Sequence, residues 1–317
     1  MKHFLLIIAF MATLFSLELK PYKEIKFDGI VKDIVVRGDK LIAGTDTGKL
    51  QVYDLKQNKI VKTIQLPKIK DFMGDIVDTR VASVDFIDGR YLLLSDSGIG
   101  GYFNVWIHEN NETKKIISHE DKKSLVKARF VDKNNILLGY LSNDIGLYNI
   151  PQKKELYKVQ ISESKFSDFA LDKDRKTAAI SCESGIIYLL DTKTGKILKE
   201  LKSEHVDNVY KVDIKNKKVS GAGQDRRGSI YNLSTNKGDH LNGTFLIYAT
   251  GLSPSGEKVA FAMDEQNNIY VYSTLTKSLL AKLKGQKSTL NSIVFKDENT
   301  LFSASDDETV MMWKLDK

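Results

Sequence analysis

Ala179-Ile180-Ser181-Cys182-Glu183, then Leu189-Leu190-Asp191, then Thr192-Lys193-Thr194-Gly195, then Ile197-Leu198-Lys199-Glu200-Leu201: this stretch decides the fold. It reads as a strand of small and apolar residues, an acidic turn, a strand that closes on an acid, a Gly-bearing turn and a further alternating strand. The same phrase recurs along the chain. Apolar residues precede a central position at Tyr53, Trp106, Tyr148, Leu190, Tyr231, Tyr272 and Trp313, with successive spacings of 53, 42, 42, 41, 41 and 41. Small residues and an acid stand upstream in Ala43-Gly44-Thr45-Asp46, Gly221-Ala222-Gly223-Gln224-Asp225 and Ser303-Ala304-Ser305-Asp306. An alternating segment comes before these turns, as in Val209-Tyr210-Lys211-Val212-Asp213-Ile214. Four short strands per unit of about 41 residues, repeated seven times, define one repeat architecture, so a chain of 317 residues need not be two ordinary domains. The expected fold class is all-β, with no long helical periodicity in residues 20–317.

Four strands per 40–45 residues, with an aromatic-Asp dipeptide closing the third, resembles the WD-repeat β-propeller superfamily. The likeness is degenerate: Tyr53-Asp54 and Leu190-Asp191 keep the acid, Trp106 and Trp313 keep the tryptophan, and no unit has both. The Gly-His dipeptide survives only as Ser118-His119, Glu204-His205 and Gly285-Gln286, 26 to 29 residues before the aromatic. In typical WD repeats that His bonds to the acid of the turn between the second and third strands. Most units here lack the pair, so neutral packing is expected to hold them. The resemblance implies a seven-bladed propeller. The last unit stops after its third strand, and Tyr22-Lys23-Glu24-Ile25-Lys26-Phe27 is an alternating segment with no three strands before it. We therefore expect the ring to be closed by that N-terminal strand in the last blade, which also covers an open sheet edge.

Met1-Lys2-His3 followed by an uncharged run over residues 4–17 has the shape of a secretory signal peptide, with cleavage expected after Ser16. The run is shorter than the ~20 residues of a spanning helix, although an uncleaved anchor is the alternative. No cysteine follows it, which excludes a lipid-attached form, and no second run is long enough to span. Residues 1–16 are thus read as signal peptide and residues 20–317 as propeller, in an exported, periplasmic, monomeric protein without a membrane span after cleavage.

Composition removes several function classes. One cysteine, Cys182, excludes a disulfide framework or Cys-rich metal centre, and its setting among small residues marks it as buried rather than nucleophilic. The net charge of +7 arises from 48 basic and 41 acidic residues without a like-charged block, so no nucleic-acid partner is expected. Only 7 of the 48 are Arg, the residue expected where phosphates are gripped bidentately. There is no Gly-x-Ser-x-Gly elbow, P-loop or His-Glu-x-x-His. The histidines do not cluster, although His119, His205 and His240 could approach one face. The acids recurring once per unit (Asp46, Asp96, Glu183, Asp225, Asp264, Asp306) are explained by turn stabilisation. No catalytic residue, cofactor or metal is therefore expected.

The long first spacing locates the candidate partner surface. About seven extra residues fall between Leu66 and Val84 and about three at Gly98-Ile99-Gly100-Gly101-Tyr102. In a propeller both loops emerge on the same face, where extra loops commonly bind. The longer insertion carries Phe72 and Met73 beside Asp71, Asp75, Asp78 and Arg80, a composition suited to a protein contact. The four- and three-residue spacing of those aspartates does not match a Ca²⁺ loop of alternating oxygen ligands. Tyr102 and the pair Arg226-Arg227 lie on the same expected face, the arginines placed to receive a carboxylate.

Among exported propellers, the short signal segment, unadorned degenerate blades and Lys-rich composition are similar to the periplasmic WD-repeat accessory proteins encoded with the periplasmic nitrate reductase of ε-proteobacteria. That resemblance implies a non-enzymatic scaffold whose partners are nitrate reductase components. Alternatives are an envelope scaffold in another pathway such as outer-membrane assembly, and a propeller enzyme of the lactonase or quinoprotein kind. The enzyme would need carboxylates converging on the channel.

Overall fold

The computed structural model describes residues 17–316 as seven blade sheets, six of four strands and one of five, arranged as a β-propeller, the architecture expected from the repeat. The blades cover residues 31–65, 81–117, 125–160, 166–201, 209–242, 250–283 and 290–314 and are numbered 1 to 7 in that order. Blades 1 to 6 each contribute strands a to d from the channel outward and blade 7 strands a to c, and every position of the sevenfold series lies in a strand c. The signal segment lies outside the described residues. Among those residues, helical structure is confined to a 3₁₀ turn at His119–Asp121, capped reciprocally by Ser118 and Asp121.

The apolar side chains sort into seven clusters, and each lies between two adjacent blades. This follows from strand alternation: blades stack face to face, so both sides of strands b and c are buried and read as nearly continuous apolar runs. Strict alternation of apolar and polar residues is absent for that reason from segments such as Leu92-Leu93-Leu94 and Leu137-Leu138, which are wholly buried. Cys182 sits without exposure in the cluster between blades 3 and 4, as its neighbours suggested. Trp313 fills the cluster between blades 6 and 7.

Closure is made at the N-terminus. Lys23–Lys26 pairs antiparallel with strand c of blade 7, from Lys23 opposite Met312 to Lys26 opposite Thr309. The Phe27 amide continues the ladder to the Glu308 carbonyl at 2.8 Å, and the Val31 amide reaches the Asp307 carbonyl at 2.9 Å. Ile25 and Phe27 enter the cluster between blades 7 and 1. The strand expected to seal the ring does so. The fold also starts earlier than residue 20: Leu17–Leu19 adds a fifth strand to blade 6, running parallel to Leu279–Leu283. Between the two segments Pro21 crosses Gly285, which has φ +138° and where a Cβ would come within 3.0 Å of the proline ring. Glycine is required there on both counts.

Phe27→Ala should cost about 3–5 kcal/mol, the usual loss for a fully buried Phe. Urea unfolding followed by tyrosine and tryptophan fluorescence would measure it; a loss well below that range would mean that residues 22–27 do not close the ring.

Candidate functional site

Three sets of polar residues rise above the repeat: hydrogen-bonded relays under the outer loops, a charged channel, and the insertion between blades 1 and 2.

The relays show what became of the degenerate Gly-His positions. In blade 5 the buried His205 places Nδ1 3.1 Å from Asp225 Oδ1 and Nε2 2.8 Å from Ser229 Oγ, and Asp225 also accepts the Val206 amide at 2.9 Å. Burial would raise the Asp225 carboxyl, but His205 and the amides hold it below the ordinary carboxylate range. In blade 7, Trp313 Nε1 donates to Ser303 Oγ (2.8 Å), Ser303 to Gln286 Oε1 (2.7 Å), Gln286 Nε2 to Ser305 (2.5 Å) and Ser305 to Asp307 (2.7 Å). Gln286 thus fills the histidine's place with a neutral amide. The turn acids act as expected in several blades: Asp46 accepts the Ile30 amide and Asp96 the Arg80 amide, both at 2.8 Å, and Asp264 the Asn268 amide at 2.9 Å. Asp306 and Glu183 accept no main-chain amide: Asp306 accepts the side-chain Nδ2 of Asn291 at 3.5 Å, and Glu183 lies 3.9 Å from Lys165.

His240 lies beside this relay without joining it. Glu204, Asp239 and His240 bring one ligand atom each within 4.8 Å of one another. His240 Nδ1 is 2.8 Å from Glu204 Oε2, while Lys277 is ion-paired with Asp239. The carboxylates are already matched by neighbouring nitrogen groups. His119 lies in the 3₁₀ turn and is not among these three.

The channel corrects the expectation of neutral packing. Asp33 of blade 1 accepts the Val84 amide of blade 2 (2.8 Å), and Asp85 of blade 2 accepts the Phe130 amide of blade 3 (3.0 Å). Asp168 of blade 4 accepts the Val212 amide of blade 5 (3.3 Å), and Asp213 of blade 5 accepts the Leu252 amide of blade 6 (2.9 Å). Each carboxylate, set in a strand a, stitches its blade to the inner strand of the next. Cations neutralise them: Arg129 lies 2.8 Å from Asp33, Arg37 and Arg175 lie 2.8 and 2.7 Å from Asp85, Lys127 lies 2.5 Å from Asp168, and Lys215 lies 2.8 Å from Asp213. Burial opposes ionisation of Asp85 and Asp168, yet the paired arginines and lysines hold both below the usual carboxylate range. Burial pushes Lys127 down to about 8 against the pull of Asp168. These groups surround a cavity of about 840 Å³ that opens at the a–b turns, the face opposite the insertion. Sequence reasoning passed over them. The available signal was an acid inside an apolar inner strand, as in Val84-Asp85-Phe86 and Val212-Asp213-Ile214.

The insertion forms a small antiparallel hairpin, Ile69–Lys70 with Ile76–Val77. Asp71 Oδ1 accepts the amides of Met73 and Asp75, both at 2.9 Å, so it shapes the turn. Asp78 pairs with Lys68 at 3.3 Å, and Arg80 Nε lies 3.8 Å from Asp96. Thr79, buried, donates to the Pro67 carbonyl at 2.6 Å and ties the base of the hairpin. The two insertions do meet: Gly98 has φ +75°, and a Cβ there would collide with the Lys70 carbonyl. The hairpin tip is bare, with Phe72 92%, Met73 74% and Ile76 69% exposed, and Ile99 on the adjoining loop 50% exposed. Tyr102 is half-buried in that loop, where its carbonyl accepts Ser97 Oγ at 2.7 Å. Arg226 is exposed, whereas Arg227 donates to the Glu204 carbonyl at 3.3 Å and stands 4.0 Å from Asp225. Of the expected partner residues, the structure therefore brings Asp71, Phe72, Met73, Asp75, Asp78 and Arg80 together beside Tyr102, with Arg226 and Arg227 three blades away.

The fold defines a seven-bladed β-propeller, an arrangement consistent with the WD-repeat resemblance of the sequence. No protein-family model matches the chain, and no curated protein matches it.

Asp85→Ala would leave Arg37 and Arg175 without their carboxylate, with an expected loss of about 3–5 kcal/mol. Because Asp85, Asp168 and Asp225 are depressed, their stabilisation is complete above the unfolded carboxylate pKa of about 3.9 and disappears as pH falls through their lower folded values. The contribution of these carboxylates to the thermal midpoint should accordingly be lost only below about pH 4. An Asp85→Asn variant whose midpoint lies below that of the parent by the same margin at about pH 2 as at about pH 7 would contradict the assignment.

Proposed function

We propose that this propeller is an exported, non-enzymatic interaction platform, and that a protein partner docks on the face bearing the hairpin of residues 69–77. The observation that carries the reading is the bare tip of Phe72, Met73 and Ile76 on a hairpin braced by Thr79 and by the Gly98 loop. Aromatic and Met side chains held in position before contact bind with little ordering cost. Export is supported by the basic start and apolar run of residues 1–17. No helix among the described residues is long and apolar enough to cross a membrane.

The finer reading is an accessory role of the NapL type, supporting maturation of, or electron delivery to, a molybdenum- and haem-containing periplasmic nitrate reductase. Its support is the overall build: seven degenerate blades, a short export segment and a Lys-rich composition. An enzyme of the lactonase or quinoprotein kind would use channel carboxylates, and Asp33, Asp85, Asp168 and Asp213 do face that space. Each is engaged by an Arg or Lys and by an amide of the next blade, which favours the scaffold.

The exported chain should begin at Leu17 on amino-terminal sequencing. Crosslinking in cells should capture a periplasmic protein, nitrate reductase components on the finer reading, and the double substitution Phe72→Ser with Met73→Ser should abolish capture without lowering the thermal midpoint. This pair is a cleaner test than deleting residues 68–80, which would also remove buried Thr79. Undiminished capture by the double variant would refute the docking face.

A further inference from the structure

The carboxylates of the channel do not balance its cations. Asp33 is matched by Arg129 and Asp213 by Lys215, one to one. Asp85, by contrast, is shared by Arg37 and Arg175, and Asp168 by Lys127 and Lys211. The rim adds Asp88 and Asp172 against Lys173 and Lys296, with no net change. Two positive charges are left over in a wall where both shared carboxylates are fully buried. The surplus members are identifiable by how loosely they are held. Lys211 Nζ stands 4.0 Å from Asp168 while Lys127 is at 2.5 Å, and the Arg37 side chain is 38% exposed where that of Arg175 is 14%. All four cations line the same cavity of about 840 Å³, a size that admits a small organic molecule.

We propose that the channel, at its a–b end, binds a small polyanion, an organic molecule carrying two or more clustered phosphate or carboxylate groups. Such a ligand would supply the negative charge that Asp85 and Asp168 divide among four cations. Charge-assisted bonds in a partly dehydrated pocket are stronger than the same contacts on an open surface. A monovalent anion would cancel only half the surplus. The cavity opens on the face opposite the hairpin, so ligand and protein partner would not compete for space.

Titration calorimetry on the full mature chain at low ionic strength, with inorganic phosphate, citrate and an inositol polyphosphate as separate probes and chloride as control, tests this. We expect saturable binding of citrate or the inositol polyphosphate, tighter than that of inorganic phosphate, and none of chloride; which of the two binds tells phosphate from carboxylate chemistry. Lys211→Gln and Arg37→Gln each leave a balanced pair behind (Lys127 with Asp168, Arg175 with Asp85), so both should fold. Each should weaken binding by about tenfold or more, the equivalent of one charge-assisted hydrogen bond. Citrate affinity should also fall as pH rises through about 8, where Lys127, faced by Asp33, Arg129, Asp168 and Lys211, loses its proton. Absence of saturable binding by every multivalent probe at millimolar concentration, or full affinity in both variants, would overturn the proposal. The hairpin variant should bind the anion normally, so failure here and failure of the docking face are separable.

Discussion

The antiparallel pairing of Lys23–Lys26 with the third strand of blade 7 is the constraint on which the structure depends. Stacked repeats normally leave two terminal faces exposed and need polar caps. Here there are no terminal faces, because the seventh apolar cluster, between blades 7 and 1, is completed by Ile25 and Phe27 from a segment far from blade 7 in sequence. Glu24 meets Lys287 across 263 residues, and Asn291 donates to the Val31 carbonyl across 260. Each blade can then present two buried faces, and apolar runs that would be a liability in an open sheet become interface.

Buried charge adds a second circumferential element to this packing. Ion pairs removed from water are weak evidence of stability, since desolvation offsets much of their attraction. What Asp33, Asp85, Asp168 and Asp213 supply is directional: a carboxylate aimed at one amide of the following strand fixes how the blades meet, which apolar contacts alone specify loosely. Arg129 reaches from blade 3 to Asp33 in blade 1, and Arg175 from blade 4 to Asp85 in blade 2, so the network ties blades that are not neighbours. Blades 6 and 7 present Thr250, Ser292 and Val294 on their inner strands instead, so the inner strands are charged on one side of the channel and uncharged on the other, where Lys296 stands only at the rim.

The spacing of one aromatic position was enough to read the blade count, the strand order and the closing segment, because period and alternation are properties of every unit. The hairpin was visible for the same reason, as an excess over the period. The channel network was not, since its members belong to different blades: nothing local in Arg175 connects it with Asp85, 90 residues earlier. The fifth strand of blade 6 escaped for another reason. Leu17–Leu19 continues an apolar run, and only its pairing with Ala281–Leu283 separates it from what precedes. Gln286 shows a substitution that a motif search counts as a loss while the hydrogen-bond relay keeps its course.

The position of the closing strands also orders events in time. In a chain made or threaded from its N-terminus, Leu17–Leu19 and Lys23–Lys26 emerge before every blade, yet their partners, Leu279–Leu283 and Thr309–Lys314, belong to the sixth and seventh. The earliest segments must wait, unpaired, for the entire remaining chain. Contacts of such long range make for slow final assembly. They also make closure conditional: Lys23–Lys26 has no place to dock until Thr309–Met312 is present, so the ring locks only after its seventh blade has formed.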